Sequence, residues 1–423
     1  MNHFEVRGGE LHCEDVPLSR IAEDVGTPVY VYSSATLERH YTVFRDSLIE
    51  AGVRDPLVAY AVKANSNVAV LRVLGALGAG ADTVSEGEIR RALAAGIPGE
   101  RIVFSGVGKT RSEIAFALKA GVSEINVESE PELKLIAQVA EELGVRAPVV
   151  FRVNPDVEAG GHAKIATGKA ENKFGVSFAE AARLYANASN SNHLQPLGVA
   201  CHIGSQITDM APFEAAFRKM RGLVESLRAE GLVVERLDLG GGLGVPYFNQ
   251  PDPPSPADYA KMVARVVEGL PDIRLAFEPG RVIAANAGVL LASVIHLHER
   301  PEGKKFLVLD AAMNDLIRPA MYEAFHDIRP VKATDAALAP VDVVGPVCET
   351  GDTFTRDRPL PPLDAGEVVA FMSAGAYGAA MASEYNSRPL VPEVLVRGDR
   401  YAVIRRRPTY EEMMADETAA AWV

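Results

Sequence analysis

Between residues 56 and 278, short runs rich in Val, Ile and Phe alternate with longer stretches of Ala, Leu and Glu. The runs PLVAYAV (56–62), ADTVS (81–85), RIVFS (101–105), EINVE (124–128), PVVFRV (148–153), PLGVACHI (196–203), ERLDL (235–239) and RLAFE (274–278) predict eight strands. The intervening stretches, such as NVAVLRVLGALG, EGEIRRALAAG and PELKLIAQVAEELG, repeat apolar residues at three- and four-residue spacing and predict helices. Eight such βα units are the pattern of a TIM barrel, a parallel sheet closed on itself with helices outside.

After about residue 285 the texture changes. VLLASVIHL, KFLVLD, VDVVGPV, EVVAFMS, PEVLVRG and RYAVIRR are short apolar runs separated by Pro, Gly and charge, which predicts a β-rich region. Two strand-like pieces near the start, LHCEDV and PVYVYS, are candidates to pair with it. The expected fold class is therefore α/β plus β: a barrel over 36–285, and a β-rich domain from 1–35 and 286–423. A chain of 423 residues exceeds the roughly 250–300 at which one core stops growing, so two domains fit.

Composition narrows the function classes. Apolar residues make up 48%, but no apolar run approaches the roughly 20 residues of a membrane-spanning helix, and MNHFEVRGGELHCEDV lacks the features of a signal peptide. A cytoplasmic location is expected. The net charge is −13 without a Lys/Arg block, which disfavours nucleic acid and leaves a small molecule as the default partner. Cys13, Cys201 and Cys348 show no metal or disulfide spacing, so no metal site is expected.

In a TIM barrel the chemistry lies just beyond the C-terminal ends of the strands. Strand one runs into YAVKAN, placing Lys63 where burial would lower its pKa and make its amine a nucleophile. Strand six runs into CHIGSQI, with His202 and Ser205. Strand seven runs into DLGGGLG, a glycine loop (240, 241, 242, 244) where TIM barrels recurrently hold phosphate. Strand eight runs into FEPGR, with Glu278, Gly280 and Arg281. Singly, each has an ordinary reading: a snorkelling lysine, a structural histidine, a flexible turn, a solvated ion pair. Together, an amine, an imidazole, a phosphate cradle and a carboxylate around one mouth are the parts pyridoxal 5'-phosphate (PLP) requires.

With GPVCETGD and GAYGAAMASEYNSR added, the ordered motif set resembles the fold-type III PLP-dependent decarboxylases, and most closely the diaminopimelate decarboxylases, along nearly the whole chain. The resemblance implies Lys63 as the internal aldimine and His202 stacked on the pyridine ring. It implies a phosphate site of Ser205, Gly241, Gly242 and Gly244 with Gly280 and Arg281, and Glu278 at the pyridine nitrogen. It makes Cys348 the proton donor and implies a homodimer whose sites combine residues of both subunits. Read alone, Cys348 is better taken as a buried inert thiol, the common state of a free cysteine. By the same resemblance Arg281, Arg318 and Tyr322 contact a distal carboxylate, Glu349 a distal ammonium, and Tyr377 both cofactor and substrate. Two cationic groups and one acid suit a distal amino-acid end, as in meso-diaminopimelate. The expected reaction is its decarboxylation to L-lysine and CO2. A same-fold decarboxylase for another substrate with a distal carboxylate, such as a carboxynorspermidine type, is the alternative. The stretch RVNPDVEAGGHAKIATGKAENKFG is expected to be an active-site lid.

Overall fold

The computed structural model describes residues 3–158, 173–247 and 251–422. Leu37–Ala284 form one compact unit, and the chain on either side of it forms another. The central stretch 159–172 of the expected lid lies outside the described residues.

The first unit is a closed barrel of eight strands. They are β1 (Leu57–Ala61), β2 (Gly80–Thr83), β3 (Ile102–Phe104), β4 (Glu124–Val127), β5 (Ala147–Arg152), β6 (Leu194–Ala200), β7 (Arg236–Asp238) and β8 (Arg274–Phe277). Every neighbouring pair is parallel, and β8 pairs with β1 to close the ring. Burial on both faces explains the near-continuous apolar runs in the sequence. One register depends on glycine: a Cβ on Gly198 of β6 would lie 1.9 Å from the Arg236 carbonyl oxygen of β7. Five of the outer helices begin at a Ser or Thr whose side chain accepts the N–H of an acidic residue three positions on: Ser85, Thr110, Ser129, Ser177 and Ser255. Glu86 opens the helix Glu86–Ala94, where its negative charge faces a positive dipole end.

The strands stop before the apolar runs do. β6 ends at Ala200, although CHI was expected to continue it. Cys201 and Ile203 are apolar because the loop at the barrel mouth is itself buried.

The second unit is built on a nine-stranded sheet. Its central strand, Gly288–Glu299, pairs antiparallel with Val29–Ser33, Lys305–Leu309 and Val368–Phe371. Val29–Ser33 also pairs parallel with Glu393–Arg397, so PVYVYS joins the C-terminal β region as expected. LHCEDV contributes to a small sheet of Phe4–Arg7, Glu10–Cys13 and Val16–Pro17, and its Leu11 N–H also donates to the Val331 carbonyl of the C-terminal β region at 2.8 Å. Alternate residues on the paired strands, Val29 and Val31, Val289 and Leu291, Val394 and Val396, meet Leu18 and Ile21 of the helix Leu18–Val25 in one core. That helix and the strand Thr353–Leu360 escaped the sequence reading, the strand because TFTRDRPL alternates apolar with charged residues too irregularly. Among the described residues no helix is long and apolar enough to cross a membrane, and no acid/His/Cys cluster could hold a metal.

Candidate active site

Lys63 sits in a single 3-10 turn, Val62–Ala64, directly beyond β1. Its Nζ lies 2.7 Å from Asp82 Oδ2 at the end of β2. Asp82 is fully buried, while the lysine side chain is 38% exposed. The sequence reading foresaw a desolvated amine; the structure provides an amine held by a buried carboxylate and open on one side.

His202 follows β6 by two residues, and its Nδ1 accepts the Gly241 N–H at 3.2 Å. The proton of the neutral ring therefore belongs on Nε2. Burial, followed by the charges of Arg152 and Lys63, pushes the imidazole well below its usual pKa. A neutral flat ring can lie against an aromatic face without carrying a charge into it.

The glycine loop after β7 is committed to the protein more than its composition suggests. Gly240 N–H donates to Asp238 Oδ1 at 2.7 Å and Gly244 N–H to the Ile207 carbonyl at 3.1 Å. A Cβ on Gly241 would lie 2.2 Å from the Glu278 carbonyl oxygen. The glycines thus bring the loop against β8 and the segment after β6, and Gln206 clamps it by donating to Val245 O (2.7 Å) and accepting from Val245 N (3.1 Å). The N–H groups of Gly242 and Gly280 donate to no acceptor among the described residues. Beside them, buried Arg281 donates to Ser205 Oγ from Nε (3.3 Å) and Nη2 (3.1 Å) and to the Tyr247 hydroxyl from Nη1 (3.1 Å).

Glu278, at the end of β8, is buried and lies 3.4 Å from Asn126 Nδ2. Burial, reinforced by the charges of Asp238 and Asp82, raises its carboxyl well above the ordinary range, with Lys63 and Arg152 opposing. The barrel mouth therefore favours a proton on or beside this carboxyl. Lys63, His202, Glu278, Arg152, Asn126 and Ser105 are among the residues lining a cavity of about 190 Å³ at the barrel mouth.

These residues fit PLP. Arg281, Ser205 and two amides without acceptors suit a phosphate; a buried carboxyl suits a protonated pyridine nitrogen; an amine suits an aldehyde. Asn126 Oδ1, buried in the cavity wall, has no hydrogen-bond partner among the described residues. Asp82, Arg152, Asn126 and Gln206 were missed from the sequence. For Asp82 and Arg152 a signal existed: each is a charge inside an otherwise apolar barrel strand.

The remaining expected site residues lie in the second unit, on three segments that the structure ties together. Buried Asp352 accepts from Met313 N (2.7 Å) and Val347 N (2.6 Å). Asn314 donates to Ser383 O at 3.0 Å, and Cys348 N–H to Asn386 Oδ1 at 3.2 Å. Cys348 is exposed, unlike buried Cys13 and Cys201, so the inert buried-thiol reading does not apply. Glu349 accepts from the Tyr385 hydroxyl at 2.9 Å. Arg318 is buried at the start of the helix Arg318–Tyr322, with Tyr322 half-buried. Tyr377 holds φ +57°, a left-handed conformation that a bulky residue adopts only when its surroundings enforce it.

Residues 34–285 match the pyridoxal-binding domain of pyridoxal-dependent decarboxylases. The chain belongs to this decarboxylase family. Among members of this family, diaminopimelate decarboxylases from Zymomonas mobilis and Pseudomonas aeruginosa are 50% and 51% identical to it, each over 99% of both chains. The crystal structure of Helicobacter pylori diaminopimelate decarboxylase complexed with L-lysine matches with a TM-score of 0.90 and 41% identity, covering 94% of this chain and 98% of that one. The decarboxylase family thus accounts for both the closed barrel and the β-rich unit.

Proposed function

We propose that this family member decarboxylates meso-2,6-diaminoheptanedioate (meso-diaminopimelate) to L-lysine and CO2, the step that completes a lysine synthesis. The observation that carries the reading is similarity at about half identity along 99% of the chain to proteins of that name.

Bound PLP supplies an electron sink for the pair left behind when CO2 departs. Lys63 offers the amine that holds it, and Asp82 stabilises that amine's charge within a hydrogen bond. Glu278 would hold a proton at the pyridine nitrogen, and His202 would lie against the ring as a neutral imidazole. Ser205, Arg281 and the loop of Gly241, Gly242 and Gly244, with Gly280, bind the phosphate. Arg318 and Tyr322 bind the distal carboxylate, joined by Arg281, and a buried arginine gives that anion a bidentate, poorly screened partner. Glu349 takes the distal ammonium, Tyr377 orients cofactor and substrate, and the Cys348 thiol delivers a proton to the carbon that lost CO2. The protein acts in the cytoplasm as a homodimer that completes each site from two subunits; sedimentation at micromolar concentration tests the assembly.

The test of the reaction is stoichiometric. Purified, PLP-loaded protein is expected to absorb near roughly 420 nm and to release one CO2 per L-lysine formed from the meso isomer. Absence of the band after PLP addition would overturn the cofactor reading, and a band without CO2 release would overturn the substrate.

A further inference from the structure

His326 was not singled out by its sequence, and none of the roles above uses it. It is 4% exposed, and both its ring nitrogens are engaged. Nδ1 lies 2.9 Å from the Met372 carbonyl oxygen, and Nε2 lies 3.2 Å from Arg318 Nη1. A carbonyl can only accept and a guanidinium can only donate, so one ring state satisfies both contacts: neutral, with the proton on Nδ1 and the lone pair on Nε2 aimed at Arg318. We propose that His326 is a specificity-determining positioning residue that orients Arg318 toward the carboxylate at the non-reacting end of the substrate.

The surroundings fix the imidazole from both sides. Glu323 ends the helix Arg318–Tyr322 in a left-handed conformation, φ +53°, which turns the chain back so that residue 326 faces residue 318. The His326 carbonyl accepts from Arg358 Nη2 at 2.8 Å, and the Arg358 guanidinium lies 4.2 Å from the Phe325 ring centre. On the other side, Met372 N–H donates to the Asp327 carbonyl at 2.8 Å, locking Met372 to the residue following His326.

The choice of imidazole has a chemical reason. A carboxylate at this position would also orient the guanidinium, but it would satisfy the same positive charge that a substrate anion needs. A neutral acceptor aligns the fork and adds no negative charge. A guanidinium already aligned in this way meets a ligand carboxylate at little reorganisation cost.

The inference rests on the proposed role of Arg318, and its experiment separates the two. His326→Leu removes the acceptor; His326→Gln retains both a donor for Met372 O and an acceptor for Arg318. In PLP-loaded protein, His326→Leu is expected to raise KM for meso-diaminopimelate, and Kd for L-lysine, about tenfold or more, the scale of a hydrogen bond to a charged group. Its kcat stays within about twofold. Affinity for cadaverine, which is lysine without its carboxylate, is expected to be unchanged, and His326→Gln to recover most of the loss. Nitrogen-15 spectra of histidine-labelled wild type, assigned by difference from His326→Gln, should show the Nδ1–H tautomer with no substrate present. An Nε2–H or doubly protonated ring would overturn the proposal whatever the substrate is. So would a soluble His326→Leu variant with the normal visible band and unchanged KM, or one in which lysine and cadaverine weaken equally. Wild type that holds L-lysine no better than cadaverine would instead overturn the role of Arg318, while the tautomer still decides His326.

Discussion

The barrel mouth and the loops of the second unit hold their polar residues in opposite ways. At the barrel mouth, charged groups sit at the ends of closed-barrel strands and are braced by other buried charges. Arg152 pairs with Glu128 at 2.8 Å, Glu128 N–H donates to Glu132 at 2.6 Å, and Glu132 pairs with buried Lys109 at 2.9 Å. In the second unit, Cys348 and Glu349 are exposed on a turn held by single side-chain hydrogen bonds, Cys348 N–H to Asn386 and the Tyr385 hydroxyl to Glu349, beside Val347 anchored by Asp352. A group that stays bound through every turnover is served by a dry, prearranged shell. A substrate that enters and leaves requires residues on open loops. On the roles proposed above, the difference divides a permanent cofactor seat from an exchanging substrate seat.

The division is broken most severely at Lys63. Lys63→Ala is expected to lose the visible band and to lower turnover by more than about 10⁴-fold, since removing one member of a covalent machinery costs nearly as much as removing it all. On the other side, Cys348→Ala should keep the band and lower kcat by about 10²–10⁴-fold, the range for a proton donor. Loss of the band in this variant would mean that the two seats are not separate. Arg318→Met should raise KM for the meso isomer by about 10–100-fold with a smaller change in kcat, measurable by steady-state kinetics.

The smallest expected effect concerns stability. Burial first, and then the charge of Glu124, raises the Asp238 carboxyl to about 7. An acid raised in the fold favours folding below its unfolded pKa of about 3.9, and that contribution is lost as pH rises through the folded value. Barrel stability is therefore expected to decline between about pH 4 and 8. Asp238→Asn, whose side-chain oxygen can still accept the Gly240 N–H, should flatten that slope in denaturant titrations. An unchanged slope would show that Asp238 is ionised in the fold.

Much of this architecture was legible because buried parallel strands write themselves as apolar runs, and because barrel chemistry sits at one end of each run. That rule alone located Lys63, His202, Glu278 and Arg281. Partnerships across the ring were not legible: Lys63 meets Asp82, and Arg152 meets Glu128, only after neighbouring strands are brought into register. The glycine loop read as a free cradle, yet three of its four glycine amides are used to pack it, which needs the close approach of β8 to be seen. His326 carried no signal at all, since one histidine in AFHDI has no periodicity or motif to mark it.

The central claim, a decarboxylase for a substrate with a second amino-acid end, is tested most directly by CO2 release from meso-, LL- and DD-diaminopimelate, lysine, ornithine and carboxynorspermidine. Release from the meso isomer, with L-lysine as the product and the others at least about 10²-fold slower, is the predicted result; a specificity ratio of that size is what a buried charged contact supplies. Comparable release from lysine or ornithine would contradict the assignment of Arg318 and Glu349. Release from carboxynorspermidine alone would move the protein to a different substrate within the same family.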